Sequence, residues 1–240
     1  MEQFALLFTL SKEKKEEKIG LLLAGPLGGG KSATGNSILL SNIFIPQTNQ
    51  KSPTKKKHAQ VGYKVLYNQG ITVVDGIDLT FFHENESFEC AFFLAEKCIE
   101  KYGNGFNALL YVVSYTGTFL YDSKYFSVLE NILGEDFVTN KSILIVTYGD
   151  CFISSNTENI SFDNWCSAQE DPFKKLFLKC GGRAVLFDNN TQDKKRKEKQ
   201  IKELLHIVND MNDGKKYYKK DFNLDKSGVC NNTTKLLSEK

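Results

Sequence analysis

The chain has 240 residues, 41% apolar and 25% charged, within the range of soluble globular proteins. Thirty-one Lys and Arg face 29 Asp and Glu, a net charge of +2 that is too near neutral to argue for nucleic acid or an anionic membrane as partner. Cys90, Cys98, Cys151, Cys166, Cys180 and Cys230 are scattered, with no C-x-x-C pair and no histidine at metal-ligand spacing, so free thiols and a cytoplasmic location are expected.

Phe4 to Leu10 is an apolar run far shorter than the ~18 residues of a membrane span. It reads as a segment packing on the domain or as a short interfacial anchor, and nothing else in the sequence supports membrane association. Charged residues 11–17 make residues 1–17 an N-terminal extension. Residues 18–212 form the domain, and residues 213–240 are a polar, lysine-rich tail, disordered or a helix completed by a partner.

Lys18 to Ala24 is a short apolar run, as expected of a strand buried on both faces of a parallel sheet. Next comes Gly25-Pro26-Leu27-Gly28-Gly29-Gly30-Lys31-Ser32, which fits G-x-x-x-x-G-K-[ST], the loop that wraps nucleotide phosphates. Glycines let successive N–H groups converge on phosphate oxygens. Lys31 brings a flexible point charge to the β- and γ-phosphates, and the Ser32 hydroxyl suits Mg²⁺. Ser32 to Leu40, beginning with Ala33 beside the loop, reads as a helix whose positive end lies under the phosphates. Strand, loop and helix stand in the order this chemistry requires.

Ser41 to Ala59 is polar, basic and aperiodic, a long loop where a first mobile switch belongs. Gln60 to Tyr67 alternates as a half-exposed strand, and Asn68-Gln69-Gly70 is expected to turn it into Ile71 to Asp75, antiparallel to it. Glu84 to Lys101 carries Phe88, Phe92, Ala95 and Ile99 at helical spacing. Ala108 to Ser114 is a further buried strand. Asp122 can cap a helix bearing Tyr125, Val128, Leu129 and Ile132, which Gly134 ends. Ser142 to Thr147 is a strand, and Ser154 to Asn164 reads as a polar surface insertion. Trp165 to Leu178 is a helix broken or started at Pro172, Ala184 to Phe187 is the last strand, and Gln192 to Met211 is the closing helix. Strands alternating with helices predict a doubly wound α/β fold with ligands at the carboxyl ends of its strands. Lys194 to Lys197 reads as a solvated face more than a nucleic-acid patch.

Asp75 ends its strand where a P-loop protein needs a carboxylate for Mg²⁺. Thr147-Tyr148-Gly149-Asp150 ends a later strand, and Asp150 can accept from N1–H and the exocyclic amine of guanine. Adenine would leave that carboxylate desolvated and unpaired, at a cost of about 1–3 kcal/mol or more. Asn189, after the last strand, stands where it could meet the other edge of the base.

The string Lys31-Ser32-Ala33-Thr34-Gly35-Asn36-Ser37-Ile38-Leu39 closely resembles the immune-associated nucleotide-binding GTPases, the GIMAP proteins, relatives of septins and of chloroplast outer-envelope import GTPases. The resemblance extends through Ala108 to Gly134, Cys180 to Arg183 and Phe187 to Asn190, roughly residues 18–211. It implies a P-loop, Ras-like G domain that binds GTP and GDP with Mg²⁺ and associates as a homodimer or oligomer through its nucleotide face. By similarity, Thr54 is the first-switch threonine and a metal ligand beside Ser32 and Asp75. Gly25 to Ala33 bind phosphate, Thr147 and Asp150 bind guanine, and Asn189 stacks on the base.

Two departures bear on hydrolysis. The family reads Asp-Thr-Pro-Gly at the second switch, and this chain reads Asp75-Gly76-Ile77-Asp78. An Asp78 charge ~5 Å from the γ-phosphate, at an effective dielectric near 20, would repel it by roughly 3 kcal/mol, about a hundredfold in affinity. After the Ala108 strand the family carries an arginine that acts across a dimer, where this chain has Thr118, and such a finger is worth ~10³–10⁵ in rate. The sequence therefore points to a guanine-nucleotide switch or assembly module with slow hydrolysis. A non-catalytic GDP/GTP-binding scaffold is the alternative. An ATP-dependent P-loop enzyme fits less well, since Asp150 and Asn189 would then have no role.

Overall fold

The computed structural model describes residues 18–45, 59–78, 95–117, 122–211 and 216–222. A six-stranded sheet is their centre. Its strands are β1 (Lys18–Gly25), β2 (Gln60–Leu66), β3 (Gln69–Asp78), β4 (Ala108–Ser114), β5 (Ser142–Thr147) and β6 (Ala184–Leu186), in the spatial order β2-β3-β1-β4-β5-β6. Every neighbouring pair is parallel except β2 with β3. β1, β4 and β5 are apolar except for Lys18, Ser114, Ser142 and Thr147 at their ends, because helices cover both of their faces.

On one face lie α1 (Lys31–Leu39) and α8 (Lys194–Asp210), which bury Ile38, Leu39, Ile201, Leu204, Leu205 and Val208 against alternate strand residues. On the other lie the helical residues 95–101 (α2), α3 (Asp122–Leu133), α4 (Glu135–Lys141), α6 (Phe162–Ala168) and α7 (Phe173–Lys179). The short α5 (Gly149–Ser155) leaves the carboxyl end of β5. The expected Ala95 and Ile99 are buried in this second core, whereas Phe88 and Phe92 lie outside the described residues.

Two local expectations are corrected. The β2–β3 turn falls at Tyr67 and Asn68, whose φ values of 53° and 61° reverse the chain, and Gln69 and Gly70 already belong to β3. Ser154 to Asn164 is not a polar insertion throughout, because α6 begins within it. Phe162 stacks on Trp165 with ring centroids 5.8 Å apart, in a cluster with Tyr115, Phe152 and Phe173. The helix begun at Asp122 does end before Gly134, as expected, and the chain re-enters a helix directly after it, as α4, which buries Phe137 and Val138.

Residues 216–222, assigned from sequence to the tail, lie against the domain at the end of the sheet opposite the carboxyl ends of the strands. Tyr217 and Phe106 exchange backbone hydrogen bonds of 2.9 and 2.8 Å. Tyr217 and Phe222 are buried among Phe106 and Phe137. Lys219 pairs with Glu100 at the end of α2.

Candidate functional site

The loop between β1 and α1 is pressed onto the core. A Cβ on Gly25 would sit 2.2 Å from the carbonyl oxygen of Val112, and Gly25 holds φ at +144°, so only glycine fits here. Gly30 takes φ +97° to deliver the chain into α1. The Gly29 N–H closes a turn on the Pro26 carbonyl at 3.2 Å, while Leu27 and Gly28 are exposed at the tip. Ala33 is half-buried on the first turn of α1.

Lys31 is 9% exposed, and its ammonium folds back over the loop to donate to the carbonyls of Gly25 and Pro26, each at 2.9 Å. The charge is thereby fixed above a loop whose amides and helix end already favour an anion. Ser32 Oγ donates to Asp75 Oδ2 at 2.6 Å. Asp75 is 5% exposed, held by β3 next to β1, with Leu23 opposite it in the ladder. A hydroxyl and a buried carboxylate in contact beside a phosphate loop are the oxygen donors a hard divalent ion takes. Past Asp75 the β1–β3 pairing is irregular, and Asp78 is the last residue of β3, paired with Gly25. Thr54 and Thr118 lie outside the described residues.

The expected base-binding residues divide. Thr147 is 1% exposed, and its hydroxyl lies 2.8 Å from the Gly29 carbonyl and 3.1 Å from that of Val113, so it joins β5 to the loop between β1 and α1. Tyr148 follows in the left-handed region at φ 61°, and its side chain is 39% exposed. Gly149 donates to the Phe187 carbonyl at 3.0 Å, and its own Cβ would lie 3.0 Å from Asp188 N, so the ends of β5 and β6 are drawn tightly together. Asp150 stands exposed in the first turn of α5. Asn189 turns toward α1, where its side-chain amide meets Thr34 and Ser37. Asp188, buried and silent in the sequence reading, accepts from the Asn190 N–H at 3.1 Å and pairs with Arg196 at 3.1 Å, fixing the loop after β6. The only signal for these contacts was the string Thr34 to Ser37, which phosphate chemistry does not explain.

Cys98 packs beneath β3, and burial, with the Asp75 charge adding to it, pushes its thiol up to about 12. Burial raises Cys166 likewise to about 12. Cys98, Cys151, Cys166 and Cys180 are all free thiols.

The model of the AIG1 family matches residues 19–235. The chain belongs to the AIG1 family. Among its relatives, immune-associated nucleotide-binding protein 8 of Arabidopsis thaliana is 31% identical over 205 residues, covering 84% of this chain and 55% of that protein. Immune-associated nucleotide-binding protein 5 of the same plant is 30% identical over 212 residues, covering 85% of this chain and 65% of that protein. The AIG1 chain thus spans between about half and two thirds of these relatives. Arabidopsis Toc33 in complex with GDP and Mg²⁺ superposes with a TM-score of 0.56 at 16% identity, over 93% of this chain and 95% of that one. A second structure superposes with a TM-score of 0.52 at 18% identity, over 90% and 91%. It is described as showing that dimerisation is important for the GTPase activity of chloroplast translocon components atToc33 and psToc159. At such identities the likeness establishes the fold, that of a P-loop G domain, as the resemblance implied.

Proposed function

We propose that this AIG1-family chain binds GTP and GDP with Mg²⁺ and acts as a nucleotide-dependent switch or self-assembly module that hydrolyses GTP slowly. The observation that carries the reading is the joint geometry of Lys31, clasped over the phosphate loop, and Ser32, in contact with Asp75. Gly25 to Ala33 would enclose the phosphates. Ser32, Asp75 and Thr54 would hold the magnesium ion, whose contribution is to neutralise charge on the β- and γ-phosphate oxygens. Asp150 would select guanine, and Thr147 would keep the phosphate loop at a fixed height beneath the nucleotide.

Slow turnover follows from Thr118, which carries no positive charge, and from Asp78 in place of a glycine at the second switch. A second copy across the nucleotide face is the expected partner, in keeping with the dimerisation ascribed to the Toc proteins. The free thiols favour the cytoplasm. Asp150→Asn should lose GTP and gain xanthine nucleotide in direct calorimetric titrations with GTP and XTP. Unchanged GTP affinity in that variant would remove Asp150 from the site.

A further inference from the structure

Four consecutive residues of α1 are committed to two loops that approach from opposite directions in sequence. Ser37 Oγ donates to Asn189 Oδ1 at 2.8 Å, and Asn189 Nδ2 donates to Thr34 Oγ1 at 3.1 Å. Thr34 is fully buried. Asn36 holds the backbone of Phe44 at both ends of its amide: it accepts from the Phe44 N–H and donates to the Phe44 carbonyl, each at 2.8 Å. Between them, Gly35 has the Phe44 ring against it, where a Cβ would come within 2.7 Å of the ring. Phe44 itself is 2% exposed and packs in the core beneath α1.

The partners of Asn36 are a backbone N–H and a carbonyl, which allow its amide one orientation, whereas the Thr34 and Ser37 hydroxyls can each donate or accept and hold Asn189 to α1 whichever way its amide is turned. Asn189 is therefore fixed in the loop after β6 by the same helical turn that, through Asn36, fixes the chain just before residues 46–58. The amino end of that helix is the phosphate site. We propose that Thr34, Asn36 and Ser37 are positioning residues that reference the base loop and the root of the first-switch segment to a single turn of α1, and that Asn189 acts through this helix and does not read the base. The inference rests on the guanine-nucleotide reading above and assigns α1 a role within it. A helix that moves with its phosphate contacts carries both loops with it.

The test measures release of mant-GDP and of mant-GMPPNP from the full chain, with thermal midpoints for each variant. Ser37→Ala should speed release of both nucleotides by between about twofold and tenfold, the range spanned by one hydrogen bond. It should leave the preference for GDP over IDP unchanged. Asn189→Ala, which breaks the bonds to both Ser37 and Thr34, should speed release at least as much, and the double variant should be no worse than Asn189→Ala alone. Ser37→Thr, which keeps the hydroxyl, should restore the rate, and Thr34→Val offers a second break if Ser37→Ala fails to fold. Asn36→Ala should speed mant-GMPPNP release more than mant-GDP release, because only the triphosphate engages the first switch. Additive effects of Ser37→Ala and Asn189→Ala would overturn the proposal, as would a loss of guanine preference confined to Asn189→Ala. Equal effects of Asn36→Ala on the two nucleotides would overturn it too. If the wild-type chain takes up neither nucleotide, the guanine reading itself fails and this proposal falls with it.

Discussion

Thr147→Val is the sharpest probe of how the sheet supports the phosphate loop. Valine matches threonine in shape but puts a methyl group where Oγ1 lies 2.8 Å from the Gly29 carbonyl. Carbon to carbonyl oxygen contacts settle near ~3.3 Å or beyond, so Gly29 would have to retreat by about 0.5 Å. Its carbonyl would also lose a buried partner, which costs about 1–3 kcal/mol. Since a misplacement of ~1 Å at a site can cost ~10²-fold, half of that predicts roughly tenfold weaker mant-GDP binding. Urea unfolding and mant-GDP titration of the wild type, Thr147→Val and Thr147→Ser measure both effects. Serine keeps the hydroxyl and should recover most of the binding. A valine variant that binds like wild type and unfolds within about 0.3 kcal/mol of it would refute the argument.

Gly25→Ala should destabilise the chain by about 3 kcal/mol or more, because the new Cβ meets a backbone carbonyl that has no room to yield, and thermal unfolding reads the loss. Phe222→Ala should cost about 3–5 kcal/mol in urea unfolding if the 216–222 segment docks as described, and a change under about 0.5 kcal/mol would contradict that docking. Cys98 and Cys166 have thiols raised from an ordinary 9.0 to about 12, so between pH 9 and 12 the native state keeps protons that the unfolded chain gives up. Stability should therefore fall as pH rises through that window, by about 1.4 kcal/mol per pH unit for each thiol. Cys98→Ala should show a shallower slope between pH 9 and 10.5, and an identical slope would contradict the assignment.

Much of the fold could be read from local features. β4 and β5 are centred on the apolar runs Ala108 to Val113 and Ile143 to Val146, because strands covered on both faces bury side chains in both directions, and Ser114, Ser142 and Thr147 stand at their ends. The glycine-rich loop was equally legible as the link between β1 and α1, its order of strand, loop and helix standing as expected. The β2–β3 turn was misread because Asn68-Gln69-Gly70 offers good turn residues, yet the register with β3 placed the reversal on Tyr67 and Asn68. Helix α4 gave little warning, since its N-cap is Gly134, without a capping side chain. Asn189 shows the limit most plainly. Asparagine chemistry suits a purine edge as well as a pair of hydroxyls, and its partners Thr34 and Ser37 lie more than 150 residues away in sequence.

The order Tyr148-Gly149 has a consequence for engineering. The residue that must adopt the left-handed conformation is the tyrosine, while the glycine beside it is needed for closeness to Asp188. For an ordinary L-residue that conformation is disfavoured by roughly 1–2 kcal/mol, a penalty that glycine or asparagine at position 148 would largely remove. The exposed turn after β5 is thus a place where thermal tolerance can be raised by one substitution without touching the core. Exchanging the two residues would relax the first position but drive a large ring into the backbone at the second.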